Sequence, residues 1–374
     1  MQKKLFYLTF NDSPNGIYVS QVIDVIKLYQ ENNVQAKLLA FLPIRKFIFN
    51  RAKIKTLIKE SIVLPSFPRL RNWELNKFWF YFLKIPCDST IIARGIFATN
   101  LFLRSVKNKN QIKVIYDGRG AITAEQKEYN VYANTGLEEH INDLEKDAIL
   151  KSDYRIAVSS KLIEYWEKNF NYSKGEEIII PSTLSNSFLK LKDKSKSLSI
   201  KKNLGIIDED IVLIYSGSQA GWQSFDSLRE FINDILKKDK RVKIIFLCKP
   251  NKKINELLKI YPNRTYQIFV SHVEVPYYLD VADYGLIIRD ESQTNIVASP
   301  VKCAEYLSRG LKVIISSNVG DFSNVIVKND LGCLSENYSL FSSNYKNHQI
   351  EYVKKNLCKS SRIIIESYLN LLKK

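Results

Sequence analysis

The 374-residue chain is predicted to be an α/β protein made of two doubly wound parallel sheets. Short apolar runs alternate with helical segments from the N-terminus onward. A second alternation of the same kind begins near Leu204. Between them lies a Lys/Ser-rich stretch with few apolar residues, Leu189–Lys202 (LKLKDKSKSLSIKK), which reads as a linker. Residues 1–188 are therefore expected as a first domain and residues 203–349 as a second.

The elements follow in order. Leu5–Phe10 is an apolar strand and Asn11–Gly16 a polar turn. Ile17–Gln30 is a helix, with Val19, Val22, Ile23 and Ile26 at helical spacing. Gln35–Leu42 returns as a strand, followed by strands at Thr90–Ala93, Lys113–Tyr116, Tyr154–Val158 and Glu177–Ile180. Helices are expected at Phe97–Val106, Leu137–Lys151 and Lys161–Phe170. In the second run the strands are Ile211–Tyr215, Lys243–Leu247, Gln267–Val270, Tyr284–Ile288 and Lys312–Ile315, and the tail from Ile350 to Lys374 reads as helix. Ligands of open α/β sheets bind beyond the carboxyl ends of the strands, so residues directly after each strand are the ones to inspect.

Composition narrows the class. Hydrophobic residues make up 45% of the chain and charged residues 25%, which excludes a disordered chain. No apolar run reaches the roughly 18–20 residues of a spanning helix, and the N-terminal apolar run is too short for a secretory signal. A cytoplasmic location is the expectation. Cys87, Cys248, Cys303, Cys333 and Cys358 are dispersed without a CxxC pair, and the three histidines show no metal-ligand spacing, so no structural metal is expected. The net charge of +17 is concentrated between Lys37 and Lys109, where the segment RKFIFNRAKIKTLIKE interleaves bases with Phe47, Ile48 and Phe49. Trp73, Phe78, Trp79, Phe80, Tyr81 and Phe82 follow. Bases mixed with aromatics fit peripheral contact with an anionic membrane; a solvated basic face is the other reading. No nucleic-acid-binding motif is present.

Arg289–Ile314 reads as strand end, loop, capped helix, glycine stop and strand. Ser299 is the expected N-cap, Pro300 the first helical residue, and Gly310 the left-handed stop. Lys302, Glu305 and Arg309 share one face, while Val301, Ala304 and Leu307 face a sheet. A helix N-terminus with a lysine in its first turn attracts phosphate, and a carboxylate one turn deeper can accept from ribose hydroxyls. A solvated ion pair would have the same spacing.

The pattern S-P-x-K-x-x-E-Y-L-x-x-G, Ser299–Gly310 here, followed by an apolar strand, resembles the donor-site helix of GT-B glycosyltransferases, particularly the retaining family-four group. The resemblance implies two Rossmann-like domains facing across a cleft, with residues 350–374 packing back on the first. It also implies that Glu305 holds the nucleotide ribose while basic residues neutralise the diphosphate. Two positions depart from the group. Val297 stands where many members carry a second Glu, and Ser218 stands where an Arg is expected in the loop Tyr215–Gln223.

Other candidates sit after strands. Gly16 lets backbone approach a ligand, or simply makes a turn. Asp117-Gly-Arg-Gly120 with Glu125, and Arg94-Gly95 upstream, resemble a (D)xRG…E pattern of bacterial family-four-like enzymes. Asp117 or Glu125 would orient an acceptor hydroxyl or act as base, with Arg119 aimed at the ligand; an Asp–Arg pair bracing a loop is the plain alternative. Gly217 and Ser218 offer amides and a hydroxyl to donor phosphate, and Lys249, Arg289 and Lys302 offer positive charge. His272 is left outside the catalytic set.

The expected protein is a glycosyltransferase that moves a sugar from a nucleotide-diphosphate donor to a glycan or lipid-linked glycan acceptor in bacterial surface polysaccharide synthesis. Retention of configuration is implied by the resemblance, and no metal or other cofactor is expected. Its expected place is the cytoplasm, peripheral at the inner face of the membrane. The competing expectation is a non-catalytic nucleotide- or carbohydrate-binding protein, or a basic membrane-surface scaffold.

Overall fold

The computed structural model describes residues 4–105, 112–190, 193–340 and 346–373. Val106 of the expected helix, Lys107 and Lys109 of the basic stretch, Leu191 and Lys192 of the expected linker, and Lys374 lie outside the described residues. The chain divides into two units, Met1–Thr183 with Arg362–Lys374, and Leu184–Ser361.

The first unit holds β1 (Lys4–Phe10), β2 (Gln35–Pro43), β3 (Ser61–Ser66), β4 (Thr90–Arg94), β5 (Lys113–Gly118), β6 (Tyr154–Ala157) and β7 (Glu177–Ile179). They form one parallel sheet in the order β3-β2-β1-β4-β5-β6-β7. The second unit holds β8 (Ile211–Ser216), β9 (Val242–Leu247), β10 (Thr265–Ile268), β11 (Tyr284–Ile287), β12 (Lys312–Ile315) and β13 (Gly332–Leu334), ordered β10-β9-β8-β11-β12-β13 and again parallel. Each unit thus winds outward from its first strand in both directions, the doubly wound arrangement. The strand order reverses between β1 and β4, and between β8 and β11.

Burial on both faces explains the apolar runs. In β8, Val212 and Ile214 enter one core while Ile211, Leu213 and Tyr215 enter the other. In the first unit Leu5 and Tyr7 join the core that also takes Ile364 and Tyr368 from the helix Arg362–Asn370 and Leu371 just after it. Tyr29 Oη donates to the Tyr368 carbonyl at 2.9 Å, and the two rings meet edge-on.

Several elements differ from expectation. β3 was not anticipated because its sequence, SIVLPS, is short, contains Pro65 and lies within the basic stretch. It is an edge strand, where proline is tolerated. The expected linker is largely a helix, Lys194–Asn203, with no buried residue. Asp193 caps its Ser195 amide, and Ser197 and Lys196 reach Asp280 and Glu274, so local capping and polar contacts hold a segment that lacks an apolar face. The tail is two helices, Asn347–Asn356 in the second unit and Arg362–Asn370 in the first.

Candidate functional site

In the first unit a charged cluster forms at the carboxyl ends of β1, β4 and β5, beside the strand-order reversal. Asp117 closes β5 and is fully buried. Arg119 Nε stands 2.7 Å from its Oδ1, and Arg119 Nη2 donates to Oδ2 at 3.0 Å. Tyr7 Oη donates to Oδ2 as well, and Arg94 Nη1 lies 3.5 Å away. Arg94 Nε also faces Asp12 at 3.9 Å. Burial, reinforced by the Asp117 charge, pushes the Tyr7 phenol well up, so Tyr7 remains a donor. Asp117 therefore holds two guanidinium groups and a phenol, with both of these hydrogen bonds falling on Oδ2.

Glu125 is different. It lies in the first turn of the helix Ile122–Tyr129, with no hydrogen bond or ion pair to its carboxylate among the described residues. Gly120 keeps room for it, since a Cβ there would stand 2.5 Å from Glu125 Oε1. Burial, with Glu145 and Glu128 adding, pushes its carboxyl up to about 7. Glu145, also pushed up to about 7 by burial, accepts from the Ile122 and Thr123 amides at 2.9 and 2.7 Å and so caps that helix from another one.

In the second unit the helix is Val301–Ser308, with Pro300 in the cap position and no side-chain cap. Ser299 is thus not the N-cap: the extended ψ of Pro300 places the helix start one residue later. Gly310 has φ +80°, the left-handed stop. Every residue from Lys302 to Ser308 is buried, because Tyr306 lies over Gly285 of β11, where a Cβ would come within 2.2 Å of its ring. The helix has no solvated face.

Lys302 is 7% exposed. Its Nζ donates to Gln223 Oε1 at 2.7 Å and sits 4.4 Å from the Tyr215 ring centroid. No carboxylate lies within ion-pair distance of it among the described residues. Burial pushes its pKa well below the ordinary lysine value, the Arg289 charge adds to this, and Glu305 opposes it. Gly217, directly after β8, leaves the approach open: a Cβ there would be 3.5 Å from Lys302 Nζ. Arg289 follows β11, is buried, and donates to Asn295 Oδ1 at 3.1 Å. Glu305 Oε1 pairs with His272 Nε2 at 3.2 Å, and that bond raises the His272 pKa.

No protein-family model matches the chain, and no curated protein is similar to it. Solved structures are. Anabaena HepE in complex with UDP-glucose superposes with a TM-score of 0.65 at 13% identity, covering 100% of both chains. Sucrose-phosphate synthase from Thermosynechococcus elongatus gives 0.63 at 11% identity, over 100% of this chain and 95% of that one. The N-terminal domain of Candida albicans trehalose-6-phosphate phosphatase gives 0.71 at 9% identity, over 100% and 97%.

The fold class is GT-B.

On this fold the sequence-predicted residues fall into groups. Asp117, Arg119 and Arg94 form one cluster, with Glu125 on the adjoining helix. Gly217, Lys302, Arg289 and Glu305 occupy the ends of β8 and β11 and the helix that follows. Gly16 begins the helical run after β1, where Asn15 caps the Tyr18 amide at 2.9 Å. Ser218 is exposed, and its carbonyl accepts from Tyr215 Oη at 3.0 Å. Lys249 is exposed after β9, with its Nζ 5.8 Å from the Phe269 ring centroid. Ser299 lies one residue before the cap position, which Pro300 holds.

Sequence reasoning missed Gln223, Tyr215 and Tyr7, each a neutral partner distant in sequence from the charge it holds. It also set His272 aside, because a lone histidine carries no spacing signal for a partner at Glu305. Among the described residues no group of three or more His, Cys, Asp or Glu gathers as a metal site.

Proposed function

We propose that this protein is a glycosyltransferase that takes a sugar from a nucleoside-diphosphate donor. The observation that carries the reading is the buried Lys302, held by a neutral amide at the carboxyl end of a doubly wound sheet, with Gly217 leaving its ammonium approachable. A buried cation without a carboxylate is costly, and an anionic ligand is what would offset that cost. The neighbours support the same class: HepE is seen with UDP-glucose, and sucrose-phosphate synthase carries its reaction in its name.

In this reading the diphosphate lies against Lys302 and Arg289, with Glu305, steadied by His272, accepting from the ribose hydroxyls. When the bond between the anomeric carbon and the phosphate oxygen breaks, charge develops on the departing diphosphate. Lys302 is already placed to stabilise it, without reorganisation. On the acceptor side Arg94 and Arg119, locked by Asp117, present fixed positive groups. Glu125, with its carboxyl near 7 and no partner in place, is the group fitted to receive the acceptor hydroxyl proton. The acceptor we assign to this site is a glycan, lipid-linked, in bacterial surface polysaccharide synthesis; retention rests on the resemblance of the donor helix.

Thermal shift against UDP, GDP, ADP, TDP and CMP, with and without EDTA, tests the reading. One nucleoside diphosphate should raise the melting temperature and go on doing so in EDTA. No shift across the panel, confirmed by calorimetry, would remove the donor site.

A further inference from the structure

Two carboxyl groups of the first unit converge on one helix start. The helix Ile122–Tyr129 brings no side-chain cap of its own, since Ala121 stands in the cap position and is fully buried. Glu145, on the helix Ile141–Lys151, supplies what is missing. Its Oε1 accepts from the Ile122 amide at 2.9 Å and its Oε2 from the Thr123 amide at 2.7 Å, one oxygen to each of two otherwise orphaned donors. Glu125 comes back to the same place from within the helix. It lies in the first turn, and a Cβ at Gly120 would meet its Oε1 at 2.5 Å. Gly120 is two residues before the first amide that Glu145 takes.

Folding alone asks for less than this. A serine or aspartate at position 121 would cap the helix locally. A fully buried carboxylate with no base beside it is costly instead. Glu145 is fully buried, and neither it nor Glu125 has an Arg, Lys or His within ion-pair distance among the described residues. The titratable groups that face the two are neutral or acidic. They are Tyr116 from β5, Tyr165 from the helix Ser160–Phe170, Tyr132 beyond the end of the Glu125 helix, and Glu128 on it. Burial, with the carboxylate charges adding, pushes all three phenols up, so they stay neutral donors. The helix Gly95–Ser105 also packs on the Glu145 helix. From it Asn100 donates to the Leu144 carbonyl at 2.7 Å, and Arg104 is taken by Glu74 and Asp147. No cation is left for either carboxyl.

We propose that Glu145 is a positioning residue for Glu125: it fixes the turn that carries Glu125 and sets a second carboxyl beside it, so that the two hold a single proton between them. Two like charges at one helix start, with no cation near, do not ionise independently; the second forms only against the first. Burial lifts both carboxyls to about 7, and at Glu125 the Glu145 charge is the next cause. The pair stands on the geometry of this helix start. Only its use rests on the function proposed above: Glu145 keeps the shared proton while Glu125, ionised, receives the one released by the acceptor hydroxyl, and one of the two protons then passes to solvent.

Carbon NMR on protein labelled at the glutamate carboxyl carbons reads both groups directly. In the wild type two signals should titrate near pH 7, apart from the solvated carboxylates near 4.5. Glu145→Gln keeps an oxygen for the amides and removes the charge, so the Glu125 signal should titrate about one pH unit lower. Glu125→Gln should move the Glu145 signal down by the same amount, because the coupling is reciprocal. That second variant leaves the cap untouched and gives the answer if the first does not fold. A purely structural Glu145 would lower the melting temperature on substitution and leave the Glu125 titration where it was. An unmoved signal in either variant would overturn the proposal, as would two signals already titrating near 4.5 in the wild type. Neither signal depends on a nucleotide. A silent nucleotide panel would remove the donor reading and leave the pair standing, whereas unmoved signals beside a positive panel would remove the pair alone.

Discussion

The two units share one winding order, yet the charged groups at their strand ends are arranged in opposite ways. In the first unit Asp117 and Asp12 face Arg119 and Arg94, two carboxylates to two guanidinium groups, with Tyr7 donating to Asp117, so the cluster is balanced within itself. In the second, Lys302 is also buried but rests on an amide oxygen and an aromatic ring, with Arg289 adding positive charge nearby and Glu305 opposing it beyond ion-pair distance. A balanced buried cluster is how a fold holds side chains in place. An unbalanced one is a standing cost that persists where a ligand of opposite charge compensates it. The first unit has its own unbalanced group in Glu125, one helix away from the balanced set.

Removing a member of a balanced set should destabilise the protein. Asp117→Ala leaves Arg119 without its carboxylate and Arg94 with only the more distant Asp12, and chemical denaturation should show a loss of about 3–5 kcal/mol. A loss below about 1 kcal/mol would mean the cluster is not the brace described here.

Glu125 should behave oppositely. Its carboxyl is raised in the fold from an ordinary 4.5 to about 7, so its contribution to stability is complete below pH 4.5 and disappears as pH rises through 7. Glu125→Gln should therefore match the wild type in unfolding free energy at acid pH and exceed it at pH 8 by up to about 3 kcal/mol, with a correspondingly higher melting temperature. Equal melting temperatures at pH 8 would place Glu125 among solvated carboxylates.

His272 marks the small end of the scale. Its pKa is raised by Glu305, so the pair stabilises below the ordinary histidine value near 6.5 and fades as pH climbs through the raised one. The ring is half exposed, and solvent screening keeps the effect below about 1 kcal/mol. His272→Ala should cost stability at pH 6 and almost none at pH 9; the same cost at both would mean packing on Phe188 matters more than the ion pair.

Much of this was legible in the sequence, for physical reasons. Strands buried on both faces must be apolar throughout, so β1, β8 and β12 declared themselves. The helix with Lys302 and Glu305 announced its stop through Gly310, a residue free to take positive φ. The elements that escaped lack such signals. β3 carries a proline that only an edge position tolerates, and the Lys194–Asn203 helix has no buried face at all. The start of the Val301–Ser308 helix was misplaced at Ser299 because Ser-Pro suits the cap and first turn equally well when shifted by one residue. Partners were the least legible part. Lys302 and Glu305 could be proposed from their spacing, but Gln223 and His272 reach them only through the winding of the sheet.

If Lys302 is kept in its buried place for an anionic ligand, one variant separates that role from a structural one. Lys302→Met keeps most of the side chain's apolar length and removes its charge, and the Tyr215 hydroxyl, 3.2 Å from Gln223 Oε1 and 3.0 Å from the Ser218 carbonyl, can turn its one proton to Gln223. Opposite changes should appear in one sample: a stability equal to the wild type or about 1 kcal/mol above it, and a calorimetric affinity for the stabilising nucleoside diphosphate reduced about thirtyfold or more. A less stable variant that binds the nucleotide as well as the wild type does would contradict it, and would make Lys302 part of the frame.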